Sequence, residues 1–305
     1  MKRFLLKLAI LFFILLIADF SIGTVLEFVI GSINVGGQGR DNYISNKSED
    51  NILVFGSSRA VHHYNTPMLE DSLGMTAYNC GDDGSGIILS YARLSMIKER
   101  HLPKIIIQDI MPDYDLFIND NHKYLGWLKL HYDKECVRPI FDSVDKTEKY
   151  KMMSLLYRYN SRFLQNIVVY LTGWANDGGI KGFRPRRRQM DRMKIAKSRD
   201  IISNDYEFDT LKIEYLNRFA ELSEGAELFF VVSPIWYGQD TIQFIPVKEL
   251  CRQKGIPFID FSNNPKYVHN DEFFYDGNHL NARGADEFTR DLIKKLKDYS
   301  KIEMQ

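Results

Sequence analysis

Asn51-Ile52-Leu53-Val54-Phe55-Gly56-Ser57-Ser58-Arg59 decides the fold. Four consecutive apolar residues, Ile52 to Phe55, stop abruptly at Gly56, which suits a short strand buried on both faces and ending in a turn. Similar runs recur at Ile105-Ile106-Ile107, Leu228 to Val232 and Pro257-Phe258-Ile259. Between them, Leu89 to Arg100, Tyr206 to Leu222, Ile245 to Lys254 and Ala282 to Tyr299 carry apolar residues at three- and four-residue spacing, as amphipathic helices do. Strand and helix in alternation predict an α/β fold, a central parallel sheet covered by helices on both faces.

The composition is that of a globular protein: 305 residues, 45% hydrophobic and 26% charged, long enough for one large domain with an insertion. Lys plus Arg and Asp plus Glu balance at 40 each, so no global charge points to nucleic acid, and none is expected as a partner. Cys80, Cys136 and Cys251 lie far apart, without the spacing of a zinc site or a disulfide framework. With no clustered His/Cys ligand set and no phosphate loop, no metal or organic cofactor is expected.

Residues 1–33 read as a membrane anchor or signal segment. Lys2, Arg3 and Lys7 precede an apolar run from Leu8 to Ala18, which Asp19 interrupts before Phe20 to Ile33 continues it around Glu27. No clear small-x-small cleavage site follows, which favours an uncleaved anchor over a signal peptide whose removal would release a secreted protein. Basic residues ahead of the run keep the N-terminus in the cytoplasm and send the remainder to the periplasm or cell exterior. Residues 34–50, rich in Gly, Asn, Ser and Asp, read as a linker. The main domain is expected at 51–305, interrupted at about 114–203 by an insertion without clear strands, most helix-like over Tyr150 to Tyr170. Within it, Arg184-Pro185-Arg186-Arg187-Arg188 reads first as a solvated loop, with an anion-facing surface as the alternative.

Ligands of a parallel α/β sheet gather at the carboxyl ends of its strands, where Gly56-Ser57-Ser58 would present a hydroxyl. Alone, such a segment is more often a turn or a helix cap. Asp276-Gly277-Asn278-His279 changes the weighing, because a serine nucleophile needs a base and the base needs a partner that holds its tautomer. His279 is the candidate base, Asp276 its orienting partner and Ser58 the candidate nucleophile, with Ser57 as competitor. His62 and His63 are read as a partly exposed helix face, with lining of the cleft as the alternative. Arg59 is read as a structural ion pair before an anion ligand, and Asp109 and Asp113 as loop acids.

These blocks resemble the SGNH, or GDSL-type, hydrolases, whose three-layer sandwich is flavodoxin-like. Gly56-Ser57-Ser58 is similar to that family's Gly-Asp-Ser block, with Ser57 in place of the usual aspartate. The Asn79-to-Gly84 spacing is similar to its second block, and the resemblance implies Gly84, or failing that Gly81, as oxyanion donor together with the Ser58 amide. The third block departs: Pro112 stands where an asparagine is expected. The resemblance covers roughly 51–114 and 206–299. The altered first block, the missing asparagine and the anchor also resemble the branch containing the teichoic acid D-alanyl transfer and alginate O-acetylation proteins. Membership would imply an extracytoplasmic serine esterase or O-acyltransferase acting on acyl esters of an envelope or extracellular polysaccharide. The alternative is a catalytically inactive envelope binding protein on the same fold.

Overall fold

The computed structural model describes residues 1–175, 179–190 and 206–300. Along the chain run α1 (Lys2–Gly31), α2 (Gly36–Asn46), β1 (Ile52–Phe55), α3 (Ser58–His63), α4 (Thr66–Leu73), β2 (Ala77–Asn79), α5 (Ile87–Lys98), β3 (Ile105–Asp109) and α6 (Pro112–Asp115). The short helices α7 (His122–Leu128), α8 (Arg138–Val144), α9 (Glu148–Lys151) and α10 (Leu155–Tyr159) lead to α11 (Phe163–Thr172). After them come α12 (Thr210–Leu222), β4 (Glu227–Val232), α13 (Ile245–Lys254), β5 (Phe258–Asp260) and α14 (Ala282–Tyr299). Internal contacts divide the chain into an α/β unit, Ser48–Asp120 with Gly178–Gln305, and a helical unit, Met1–Lys47 with Asn121–Asp177.

The α/β unit is built on one parallel sheet of five strands in the order β2-β1-β3-β4-β5. Side chains alternate faces along each strand. Ile52 and Val54 of β1, Ile105 and Ile107 of β3, and Phe229 and Val231 of β4 join Phe288, Leu292 and Leu296 of α14 in one core. Phe55 points the other way and meets Phe219 of α12 edge-on at 5.6 Å. α14 therefore lies with α3 and α4 on one face, while α12 packs on α5 across the other. Each such side chain withdrawn from water contributes about 1.5–3 kcal/mol.

Strand order reverses between β1 and β3, because β1 leads to β2 on one side and the chain returns to β3 on the other. The carboxyl end of β1 at such a switch point opens into a crevice between diverging connections. Gly56 stands there with φ +135°, and a Cβ on it would lie 2.7 Å from the Asp109 carbonyl oxygen, so the turn requires glycine.

In the helical unit α1 is 30 residues long with a mean hydropathy of 2.5 over its most apolar 18-residue window, long and apolar enough to cross a membrane. The segment read as a linker is helical over Gly36–Asn46. Asn42 of α2 donates from Nδ2 to the carbonyls of Ile30 (2.7 Å) and Ile33 (2.8 Å), satisfying acceptors that the end of α1 leaves open. Of the expected insertion, 176–178 and 191–203 lie outside the described residues.

Candidate active site

Ser58 is the first residue of α3, with Ser57 as its N-cap in extended conformation. The Ser58 hydroxyl lies 2.8 Å from Nε2 of His279. Nδ1 of His279 lies 2.9 Å from both carboxylate oxygens of Asp276. A carboxylate only accepts, so Nδ1 carries the proton and the Nε2 lone pair faces the serine. Ser57 is fully buried instead, and its hydroxyl has no hydrogen-bond partner among the described residues.

The His279 loop is held by its own backbone. Oδ1 of Asp276 accepts the amides of Asn278 and His279, each at 2.8 Å, in a turn that also fixes the carboxylate against the ring. Burial alone would raise the Asp276 pKa, but the His279 contact and these two amides outweigh it and hold the carboxyl below its ordinary range. Asn281 caps α14 through the Gly284 amide at 2.9 Å and donates to the Glu272 and Phe274 carbonyls, so the helix begins just past the histidine.

The structure corrects the reading of His62 and His63, which are both buried. Leu280 donates its amide to Nε2 of His63 at 3.0 Å, leaving Nδ1 to donate to the Ser233 hydroxyl at 3.0 Å. Burial, followed by the neighbouring His279, Arg59 and His62, drives the His63 pKa well below 6.5, so the ring is neutral and tethers the residue next to His279. His62 donates from Nδ1 to the Arg184 carbonyl at 2.6 Å and crosses His279 edge-on at 5.6 Å. Its Nε2 lies 3.1 Å from Asp83 and 2.9 Å from the Arg186 guanidinium. Burial opposes ionisation of Asp83, yet His62, Arg184 and Arg186 prevail and bring its pKa down to about 2.

The basic cluster is accordingly divided. Arg184 and Arg186 are half-buried, Arg184 against Asp83 at 3.4 Å and Arg186 over the Tyr275 ring, whereas Arg187 and Arg188 are exposed. A polar groove of 390 Å³ runs beside them, lined by Arg187, Gln189, Glu272, Asn281, Ala282 and Arg283, and no residue of the Ser58-His279-Asp276 chain lines it.

The Gly84 turn docks on the residue where β1 ends. Asp82 donates its amide, and Ser85 its hydroxyl, to the Gly56 carbonyl, at 3.0 and 3.2 Å. The buried Arg93 of α5 braces the same turn through the Cys80 carbonyl and the Asp82 carboxylate, both at 2.8 Å. The Gly81 amide donates to the Asn79 side chain, whereas the Gly84 amide has no acceptor among the described residues.

In the third block Pro112 opens α6, and Asp115 accepts the Met111 amide at 2.6 Å. Burial pushes the Asp115 pKa up to about 7, against that hydrogen bond. Asp109 is no loop acid: it ends β3, is fully buried, and accepts from the Tyr64 hydroxyl (2.7 Å) and the Ser233 amide (3.0 Å). Arg59 forms the buried ion pair read for it, its Nε 3.5 Å from Asp109. No signal in the sequence gives a role to Arg93 or Ser233, and none shows that His63 is buried against the Leu280 amide and Ser233.

No protein-family model matches the chain, and no curated protein matches it in sequence. Among solved structures it is similar to an acetyl xylan esterase from the rumen bacterium Butyrivibrio proteoclasticus, with 9% identity and a TM-score of 0.39, covering 81% of this chain and 63% of that one. It is also similar to a protein of Streptococcus pneumonia described provisionally as a platelet activating factor, with 14% identity and a TM-score of 0.37, covering 96% of this chain and 98% of the other.

Proposed function

We propose that this chain is a membrane-anchored serine esterase or O-acyltransferase of SGNH type, with 1–33 as anchor, 34–50 as connector and the domain at 51–305 outside the cytoplasm. The observation that carries the proposal is the continuous chain from the Ser58 hydroxyl through His279 to Asp276, at 2.8 and 2.9 Å. In the reaction the Ser58 oxygen attacks the acyl carbonyl as its proton passes to Nε2 of His279. The tetrahedral oxyanion meets the amides of Ser58 and Gly84. His279 then gives the proton to the departing alcohol oxygen, the ester bond breaks, and an acyl-serine remains. Water, or a sugar hydroxyl in the transferase case, attacks that acyl-serine with His279 again as base. Asp276 stabilises the imidazolium formed in both halves.

Gly84 is preferred over Gly81 because the Gly81 amide is already donated to Asn79. With Pro112 contributing no side-chain donor, the oxyanion site lacks a contact whose loss typically costs about 10²–10³-fold in rate. Modest turnover on simple esters follows from that. The substrate class proposed is an acylated envelope or extracellular carbohydrate, and the groove beside Asn281 is the candidate acceptor site for transfer.

A fluorophosphonate probe applied to the full chain in detergent micelles tests the reading. Wild type is expected to label and Ser58→Ala to lose the label. Labelling that survives Ser58→Ala and vanishes in Ser57→Ala transfers the role to Ser57. An unlabelled wild type leaves the non-catalytic binding protein as the better reading.

A further inference from the structure

The helical unit carries an apolar surface that its own packing leaves uncovered. Leu164, Val168 and Leu171 of α11 recur at four and three residues, so they form one stripe, and they are 67%, 57% and 75% exposed. Trp174 beyond the helix is 72% exposed. The opposite side of α11 is engaged: Ile167 packs on the cluster of Leu26, Ile30 and Tyr159, and Tyr170 meets Phe28 of α1 edge-on at 6.4 Å.

The positions of α10 and α11 along α1 say what the stripe faces. With Lys7 at the cytoplasmic boundary, Leu8 to Ala18 rises only about 16 Å at ~1.5 Å per residue. A hydrocarbon core of about 30 Å continues to roughly Glu27. Asp19 then lies inside that core, where an unsatisfied carboxylate is expensive. It is satisfied by the start of α10: the Ser154 hydroxyl donates to Oδ1, and the Leu155 and Leu156 amides donate at 3.0 and 3.3 Å. One turn on, a Cβ at Gly23 would lie 2.3 Å from Cβ of Leu155, so α1 and α10 touch where only glycine fits. A further turn on, Glu27 accepts from the Tyr159 hydroxyl at 2.9 Å. Asp19, Gly23, Leu26 and Ile30 fall on one face of α1, which is the covered one, with Glu27 exposed at its margin. The remaining surface at this depth is bare and mostly apolar, with Phe20, Ile22 and Val25 exposed beside Ser21 and Thr24.

We infer that α10 and α11 form a hairpin embedded beside α1 in the leaflet away from the cytoplasm, and that the Leu164-Val168-Leu171 stripe is covered by lipid acyl chains. At 10 residues α11 is too short to cross and of the length of a re-entrant or interfacial segment. Past its first turn the α11 backbone is satisfied within the helix, which closes on Gly173 at φ +65° with the Gly173 amide on the Val169 carbonyl. Trp174 and Tyr170 supply the amphipathic rings that settle at the headgroup level. The inference rests on the proposed reading of α1 as an uncleaved anchor.

The test uses the full chain in phosphatidylcholine/phosphatidylglycerol vesicles, with Cys136→Ser removing the one native cysteine that is not buried. Single variants Leu164→Cys, Leu171→Cys, Ile14→Cys and Asp142→Cys carry an environment-sensitive fluorophore. Nitroxide-bearing lipid is expected to quench most of the emission at 164, 171 and 14 and to spare 142, while aqueous iodide does the reverse. Iodide quenching at 164 and 171 with lipid quenching at 14 overturns the hairpin and leaves the anchor standing. Iodide quenching at 14 overturns the anchor and the inference with it. Labels at 164 and 171 shielded from both quenchers, or cysteines there that cross-link between copies, replace lipid by a protein occupant and also overturn it.

Discussion

Asp109, fully buried under the candidate active site, and Asp19, half-buried on α1, are both carboxylates held by donors far along the chain. Asp109 sits at the end of β3 with a guanidinium facing one oxygen and two donors, the Tyr64 hydroxyl and the Ser233 amide, on the other. Among the described residues Asp19 has no cation partner and relies on a hydroxyl and two amides at the first turn of a short helix. The α/β unit turns its apolar residues inward and places charges at strand ends, where charge neutralisation fixes three connections at once. The helical unit turns the apolar residues of α1 and α11 outward, and Asp19 of α1 caps the start of α10. A buried charge therefore has a different worth in the two regions, and substitutions can measure it.

The largest effect is expected on chemistry in the α/β unit. Asp276→Asn keeps the shape but offers His279 an amide that can donate, favouring the wrong tautomer, and should lower kcat by about 10⁴-fold with KM little changed. Turnover of short acyl esters reads this directly, and a loss confined to KM would remove Asp276 from its proposed role. Next in size is Asp109→Ala, which leaves the buried Arg59 guanidinium without its counter-charge and should cost about 3–5 kcal/mol. Urea unfolding followed by tryptophan fluorescence tests it. A cost below that of an ordinary surface substitution would erase the distinction drawn between the two carboxylates.

A smaller effect follows from His63. Its folded pKa lies well below the unfolded value of 6.5, so above pH 6.5 the ring is neutral in both states. Below pH 6.5 the unfolded chain binds a proton that the folded chain does not, and stability falls by up to about 1.4 kcal/mol per pH unit until the folded pKa is reached. Melting temperatures from pH 8 to 5 should show this slope. His63→Gln should flatten it, and an unchanged slope in that variant would assign the acid sensitivity to other groups.

How much of this could be read from the chain depends on whether a residue's partner is local. Ile52–Phe55, Ile105–Asp109 and Glu227–Val232 are legible because central strands of a parallel sheet are apolar throughout. Ala77–Asn79 is not legible as a strand: three residues including Tyr and Asn carry no period, and only its pairing with β1 makes it β. The helix expected from Tyr206 starts at Thr210, because the Asp209 side chain accepts the Leu211 amide and caps it there. Asp276 and His279 could be joined on paper because they are three residues apart. Ser58 could be added because a strand and a glycine precede it. His63 could not, since what buries it and fixes its tautomer is the Leu280 amide, 217 residues away. The insertion was opaque because outward-facing apolar residues defeat any rule that equates apolar with core.

The smallest expected effect probes the other side of the comparison. Asp19→Ala deletes a cap, not a counter-charge, and under the proposed reading of α1 as an anchor it removes a group that would cost free energy to hold in the hydrocarbon. The loss of three hydrogen bonds at the start of α10, about 0.5–2 kcal/mol for a capping residue, is therefore partly offset by the easier insertion of α1. Asp19→Asn keeps an acceptor without the charge and should fall between wild type and alanine. Hydrogen exchange at the Leu155 and Leu156 amides of the full chain in vesicles reports on this contact alone. Faster exchange in Asp19→Ala and near-normal exchange in Asp19→Asn is the pattern of a cap. Equally fast exchange in both would show instead that the negative charge itself holds the start of α10, as it does at Asp109, and the two regions would then follow one rule.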